Sequence, residues 1–247
     1  MIIEIYDDTY EDMCSLNQNL TFETAKREFD TRKVPFGIDQ FKTLKIINSE
    51  GAYLNLGLLL SDQCLHTIKV DLFEGTNKSA LQDRREFGGS ILKQLNDAYD
   101  YIKQHNQTKV EFSGHYRIDH RDYPEEAVRE ALLNSLVHRN YSFSDSTLVN
   151  IFDDRIEFVS IGSLVKGISL NDILLGVSIT RNEKLANIFY RLMLIEAYGT
   201  GIPRIIGSYA RNSLKPSFVV SDNAFITVLP NTNQVDNFLR TDNDLRL

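Results

Sequence analysis

One stretch in the second half of the chain carries residues whose types and spacing could do chemistry. Glu130, Asn134 and His138 are four residues apart, so in a helix each lies one turn beyond the last on the same face. Apolar residues repeat at the same spacing on a different face: Val128, Leu132 and Leu136. A helix that buries one face and presents a carboxylate, an amide and an imidazole on another could serve a nucleotide and its metal ion.

Two glycine-bearing loops follow this predicted helix. The first contains Gly162, and the second contains Gly199 and Gly201 on either side of Thr200. Such turns let backbone N–H groups approach phosphate oxygens, and a helix that begins after the second loop adds a dipole that favours anions. Each signal alone is weak, because a polar stripe is usually a solvated helix face. Their occurrence within one domain adds weight to a nucleotide site against a solvated helix face.

Composition narrows the class of protein. The chain has 247 residues and a formal net charge of -7, with no dense run of Lys and Arg. This charge argues against binding of this chain to the phosphates of duplex DNA. Cys14 and Cys64 lack metal-ligand spacing and no secretory signal precedes them, so we expect reduced thiols and a cytoplasmic location. The longest apolar run, 54–60, is too short for a membrane span.

Hydrophobic periodicity and turn residues predict the elements of the first half. We expect a short helix that Thr21 caps and two further helices over 38–47 and 91–105. Strands are expected over 66–73 and 109–112. The charged segment 119–122 is expected to be a connection, and the domain boundary is placed near residue 115.

The second half alternates more clearly between helices and strand pairs. The patterns predict three helices: one over 124–138, one that begins after the N-cap Asn182 and ends near 197, and one that begins at the second glycine loop and ends near 209. They also predict hairpins over 147–159 and 218–229. This order predicts an α+β fold, a two-layer sandwich with a mixed sheet and helices on one face. We therefore expect a smaller α+β domain over 1–115, the sandwich over 116–232 and a disordered tail over 233–247.

The motif words of the second half resemble those of a known ATPase domain. In order they are REALLNSLVHRNYS at 129–142, IFDDRIEF at 151–158, RN at 181–182 and EAYGTGI at 196–202. This set resembles the Bergerat fold of gyrase, Hsp90, histidine kinases and MutL (the GHKL superfamily), in the divergent form at the C-terminus of RecG-related proteins and transcriptional regulators of bacteria.

The first half resembles the middle region of the same RecG-related proteins. Its matching words are LGLLLSDQ at 56–63 and DRREFGGSILKQ at 83–94. In those proteins a Schlafen-type, Alba-like DNA-binding domain normally comes first, and its glycine-rich words are absent here. The resemblance therefore implies the C-terminal half of a longer protein, with DNA contact left to the missing domain.

The resemblance also implies roles for the polar residues. Glu130 would activate the attacking water as a general base, and Asn134 would bind the Mg²⁺ that accompanies ATP. Gly162, Gly199, Thr200 and Gly201 would surround the nucleotide. His138 could touch a phosphate as a cation or pack as a neutral side chain beside Tyr141, and Arg181 could reach a phosphate or orient the lid.

One position departs from the superfamily pattern. Where an Asp normally bonds the adenine amino group, this chain has Ser160, followed by Gly162. Two functions therefore stay open. The first is an ATP- and Mg²⁺-binding regulatory domain, which could be a slow ATPase that controls a DNA-binding partner domain. The second is a catalytically dead fold used for homodimerisation or protein contact. Helicase action is not expected, because the chain lacks the P-loop word.

Overall fold

The computed structural model describes residues 9–177, 179–196 and 199–234. Its helices are α1 Glu23–Thr31, α2 Ile38–Phe41, α3 Asn55–Leu60, α4 Ile91–His105, α5 Glu125–Val137, α6 Leu170–Leu174, α7 Glu183–Arg191 and α8 Gly201–Ser208. Its strands are β1 Ile68–Glu74, β2 Ala80–Phe87, β3 Thr108–Ser113, β4 Tyr116–Arg121, β5 Thr147–Ile151, β6 Arg155–Ile161, β7 Ser217–Val220 and β8 Ala224–Pro230. The predicted tail lies outside these residues from position 235, as does Tyr198 of the EAYGTGI word.

Within the described residues, a six-stranded mixed sheet has the order β2-β1-β5-β6-β8-β7. The β1–β5 pair is parallel, and the other pairs are antiparallel. The predicted α+β class and mixed sheet are confirmed. The sheet joins β1 and β2 of the first half to β5, β6, β7 and β8 of the second half, so it contains strands from both sides of the predicted boundary at residue 115. That residue lies in the turn between β3 and β4. The division into domains at that residue stays a prediction.

Helix α5 occupies the centre of the molecule. Its predicted apolar face is buried, since Val128, Leu132 and Leu136 are almost completely shielded from solvent. The helix packs against α4 and the sheet on one side, and α7 and α8 cover another side. The polar stripe of α5 is therefore enclosed as well. Among the residues described, no helix combines the length and the apolar character needed to cross a lipid bilayer.

Two predicted helices end earlier than the periodicity indicated. Helix α2 ends at Phe41 and continues as turns to Lys45, which adopts a left-handed conformation (φ 59°) and redirects the chain. Helix α7 ends at Arg191, where Met193 is left-handed (φ 55°) in the same way. In both cases apolar residues continue past the end of the helix, so the pattern alone could not show the stop.

A strand replaces the predicted connection at 119–122. Residues Tyr116–Arg121 form β4, which pairs with β3 in a separate two-stranded sheet. Both strands are largely exposed on both faces. Apolar and polar residues alternate in both strands, and the predicted strand 109–112 lies within β3. The charges at 119–122 nevertheless indicated a connection, because sequence alone does not distinguish an exposed strand from a solvated loop.

Helices α1 and α7 are capped by side chains distant in sequence rather than by the predicted residues. The carboxylate of Asp62 accepts hydrogen bonds from the N–H groups of Glu23 and Thr24 at the start of α1, where Thr21 was the expected cap. The side chain of Asn182 makes no capping bond to α7. These caps depend on tertiary contacts, which residue spacing does not reveal.

Glu11 caps α7. Its carboxylate accepts hydrogen bonds from the backbone N–H groups of Lys184 (2.7 Å) and Leu185 (3.0 Å), and its side chain is buried. Neighbouring Asp12 instead pairs with the ammonium group of Lys184 and stays partly exposed. Glu11 thus satisfies two of the free N–H groups that every helix start presents.

Replacing Glu11 by Ala should lower the free energy of unfolding by about 1–2 kcal/mol, the usual cost of losing a helix cap. Asp12→Ala is the matched control and should cost less than about 1 kcal/mol, because it removes only a partly exposed ion pair. Urea denaturation followed by circular dichroism measures both values. Equal losses in the two variants would contradict the capping role.

Candidate functional site

A cavity of about 1070 Å³ lies between α5, the end of β6, the segment from that strand through α6, and the starts of α7 and α8. All the residues that the sequence singled out line it: Glu130, Asn134, His138, Ser160, Gly162, Arg181, Gly199, Thr200 and Gly201. The structure therefore brings them together. Their chemical roles stay predictions.

The start of α8 lies against the polar stripe of α5. A Cβ atom added to Gly201 would lie 2.7 Å from Nδ2 of Asn134 and 3.1 Å from Oε2 of Glu130. Both distances are shorter than ordinary van der Waals contacts. Glycine is therefore the residue that allows the N-terminus of α8 to approach the carboxylate and the amide this closely.

Two guanidinium groups accompany the carboxylate of Glu130. Nη1 of Arg129 lies 2.7 Å from Oε1 of Glu130, and Nη1 of Arg204 lies 3.9 Å from the same oxygen. Glu130 itself is buried. The paired arginines offset the cost of burying this charge. Sequence reasoning missed both, although Arg129 stands next to Glu130 in the first motif word.

The imidazole of His138 is neutral at neutral pH. Burial and the nearby guanidinium of Arg181 lower the pKa of His138 to about 4. The neutral form agrees with the packing alternative rather than with a cation on a phosphate, and the role of His138 stays a prediction. The ring of Tyr141 contacts the rings of Tyr10 and His66.

Arg181 supplies positive charge to the cavity. Its Nη2 donates to the carbonyl of Ser163 (2.6 Å) and its Nε to the carbonyl of His138 (3.3 Å). Neither acceptor carries a formal charge, and no described carboxylate forms an ion pair with Arg181. The side chain is thus held in place while its charge remains available to an anion in the cavity.

Strands β6 and β8 contribute small polar groups to the cavity. Ser160 Oγ donates to the backbone carbonyl of Ser135 (2.8 Å). Thr227, on β8 beside Phe158 of β6, is buried and lines the same cavity. Sequence reasoning missed Thr227. The available signal was a hydroxyl residue on the inward face of an otherwise apolar strand.

Gly162 turns the chain at the end of β6. Its φ is +108°, and an added Cβ atom would lie 2.8 Å from Cβ of Asn140. Any other residue would be both strained and too close to the segment that follows α5. Glycine at this position therefore allows the loop after β6 to lie close to the segment after α5 at the cavity wall.

Apolar side chains form another part of the cavity lining. It consists of side chains from the loop after β6, from α6 and from the segment that follows it: Leu164, Val165, Ile168, Ile173, Val177 and Ile179. The sequence analysis described this segment only as a glycine-bearing loop. The lining therefore combines apolar groups with charged and polar ones, and the part formed by Glu130, Asn134, Arg181 and the start of α8 is called the charged end. This combination suits a ligand that carries both kinds of group.

The charged end is not a complete metal cage. Among the described residues, no group of three or more His, Cys, Asp or Glu side chains is placed to hold a metal ion. Glu130 and Asn134 offer oxygen atoms, the ligand type that Mg²⁺ prefers. An ion held there would need further oxygen ligands from a bound molecule and from water.

Comparisons with known proteins bear on the second half and on the fold. Residues 145–229 match a family described as "Putative ATP-dependent DNA helicase recG C-terminal", which covers β5 to β8 but not α5. No curated protein matches the chain.

The fold is similar to the crystal structure of the DIP2311 protein from Corynebacterium diphtheriae, with a TM-score of 0.77 and 19% identity over 91% of this chain. The likeness covers 48% of that protein, so this chain spans about half its length. At this level of identity the likeness concerns the fold.

Gly201→Ala should push the Asn134 amide aside and lower the melting temperature, with a cost of about 1–3 kcal/mol for overpacking. Gly207→Ala is the matched control in the same helix, because an added Cβ atom meets nothing within 4 Å there. That variant should be neutral or stabilising by up to about 1 kcal/mol, since Ala favours helices. Thermal melts and the NMR signal of the Asn134 side-chain amide test the contact. An unmoved amide signal in Gly201→Ala would contradict it.

Proposed function

We propose that this chain contains an ATP- and Mg²⁺-binding domain of the RecG-related type, whose nucleotide state regulates a partner domain. The observation that carries the proposal is the convergence of the polar stripe, both glycine loops and Arg181 on one cavity. The family match over 145–229 supports it, because the family's description names an ATP-dependent protein.

The charged end of the cavity suits a phosphate chain. The guanidinium of Arg181 is bonded only to carbonyl groups of the described residues, so a phosphate oxygen would compensate its charge. Gly199, Thr200 and Gly201 bring the N-terminus of α8 to the same cavity, where free N–H groups and the helix dipole favour anions. Two independent sources of positive potential thus act on one region.

Asn134 is the residue that would contact the metal ion. Its amide oxygen is a hard ligand, and it lies within the polar stripe beside Glu130. When bound, Mg²⁺ would neutralise part of the phosphate charge. The absence of a three-ligand cluster among the described residues fits a metal that arrives with its nucleotide.

Glu130 is the candidate general base for hydrolysis. A carboxylate can accept a proton from an attacking water if it lies within hydrogen-bond reach. Here, however, Arg129 and Arg204 lie beside the same carboxylate oxygen, so an attacking water would compete with two guanidinium groups for this acceptor. We therefore infer that any hydrolysis is slow, as a regulatory ATPase requires.

A second candidate function is a nucleotide-free interaction module. Ser160 favours it, since this hydroxyl donates to Ser135 and offers no carboxylate to an adenine amino group.

In the first proposal DNA contact belongs to a further domain of the longer protein, because a net charge of -7 gives this chain little affinity for phosphates of DNA. We propose a cytoplasmic location for either function.

Calorimetric titration with a non-hydrolysable ATP analogue and Mg²⁺ should show saturable binding. Asn134→Ala should weaken it by about tenfold or more, equivalent to about 1.4 kcal/mol. Asn77→Ala, in the exposed turn between β1 and β2, is the matched control and should bind as the wild type does. Absence of binding up to millimolar ligand would favour the interaction module.

Glu130→Gln should reduce ATP hydrolysis by about 10²–10⁴-fold while it spares nucleotide binding, because the amide cannot accept the proton. The control is Glu126→Gln, one turn earlier on the same stripe but exposed to solvent. Turnover is measured by phosphate release under saturating nucleotide. Unchanged turnover in Glu130→Gln would remove this residue from the mechanism.

A further inference from the structure

The β3–β4 hairpin stands apart from the main sheet and exposes apolar side chains on both faces. Phe112 is 72% exposed and Tyr116 is 79% exposed, with Val110 and Ile118 also open to solvent. A two-stranded hairpin by itself is marginally stable in water, and exposed apolar groups mark contact surfaces. We propose that this hairpin is a dimerisation arm, in which β4 pairs antiparallel with β4 of a second copy of the chain.

Hydrogen bonding at the base of the hairpin determines which backbone groups of β4 are free. The N–H of Asp122 donates to the carbonyl of Gln107 (2.9 Å). Because hydrogen-bonded pairs alternate along an antiparallel ladder, residues 120, 118 and 116 direct their N–H and C=O groups toward β3. Arg117 and Asp119 therefore direct theirs outward.

The segment 232–233 contacts one end of β4. The carbonyl of Arg121, which the alternation also directs outward, accepts a hydrogen bond from the hydroxyl of Thr232 (2.7 Å), and the amide of Asn233 donates to the carbonyl of His120 (3.0 Å). The segment around Thr232 thus covers one end of the β4 edge. The remaining edge, at Arg117 and Asp119, has outward N–H and C=O groups that another strand can use.

Charge selects both the occupant and the register. Only residues whose backbone N–H and C=O groups point away from β3 can form hydrogen-bonded pairs with the second copy. The register therefore depends on which residues of that copy lie opposite Arg117 and Asp119. If Ile118 faces Ile118 of the second copy, each Arg117 faces an Asp119, and both backbone bonds of each pair can form. A shift to either neighbouring allowed register places Arg117 opposite Arg117, or Asp119 opposite Asp119, which like-charge repulsion disfavours.

The pairing also joins side chains that are exposed in one copy. Arg117 and Asp119 already form an ion pair within the strand (2.7 Å), so two copies create an alternating group of four charges on one face. On the opposite face Ile118 meets its counterpart, with Tyr116 beside it. The self-complementary charges favour a second copy, because in the two-fold symmetric arrangement each Arg117 faces an Asp119 of the other strand.

Sedimentation equilibrium across micromolar to near-millimolar protein should show a reversible monomer–dimer equilibrium. Arg117→Asp and Asp119→Arg should each raise the dissociation constant by about tenfold or more, since each places like charges opposite one another at both pairs. An equimolar mixture of the two variants should dimerise again, because every contact in the mixed dimer joins opposite charges. Arg211→Asp, exposed and distant in sequence from the hairpin, is the charge-reversal control and should dimerise as the wild type does.

Circular dichroism verifies that each variant is folded, and recovery in the mixture gives the same assurance. Three results would each overturn the proposal: a wild type that stays monomeric throughout the range, single variants that dimerise as the wild type does, or a mixture that stays monomeric. The first is also the result expected if the edge pairs with a different protein.

Discussion

The C-terminal end of α5 is the constraint on which the site depends. A helix leaves its last four carbonyl groups without partners inside the helix, and burial makes each unpaired group costly. Here side-chain donors meet three of them: the hydroxyl of Ser160 donates to Ser135, that of Tyr141 to Leu136, and the amide of Asn182 to Val137. Just beyond the helix, Arg181 donates to the carbonyl of His138 and Asn182 to that of Arg139. These bonds fix the residues that precede α7 directly beside the polar stripe.

The same end of α5 is tied to the first half of the chain through Arg139. This arginine is 1% exposed, and its guanidinium donates to Nδ1 of His66 (3.2 Å) and to the hydroxyl of Thr147 (3.2 Å). Burial and Arg139 together lower the pKa of His66 to about 4, so the imidazole is neutral and can accept this bond. The first half thus supports the segment from which the cavity wall is built, as Glu11 also does at the start of α7.

The cavity is a consequence of these restraints. Helix α5 packs against the sheet, and Arg181 and Asn182 bond the chain at its C-terminal end. Its polar stripe then faces α8. Gly201 then allows α8 to approach Glu130 and Asn134. A site made in this way is sensitive to the position of α8, so nucleotide binding and the placement of this helix would be coupled in the proposed regulatory function.

The sequence by itself determined the α+β class, the buried face of α5 and nine of the residues that line the cavity. Those features follow from local periodicity, from glycine at Gly162 and Gly201, and from motif words that keep their order. Tertiary structure decided the rest, because the relevant partners are distant along the chain. It made Glu11 rather than Asn182 the cap of α7, placed Arg204 beside Glu130 and lowered the pKa of His138 through burial. Spacing shows which residues share a face, but only packing shows what that face meets and how far it is removed from water.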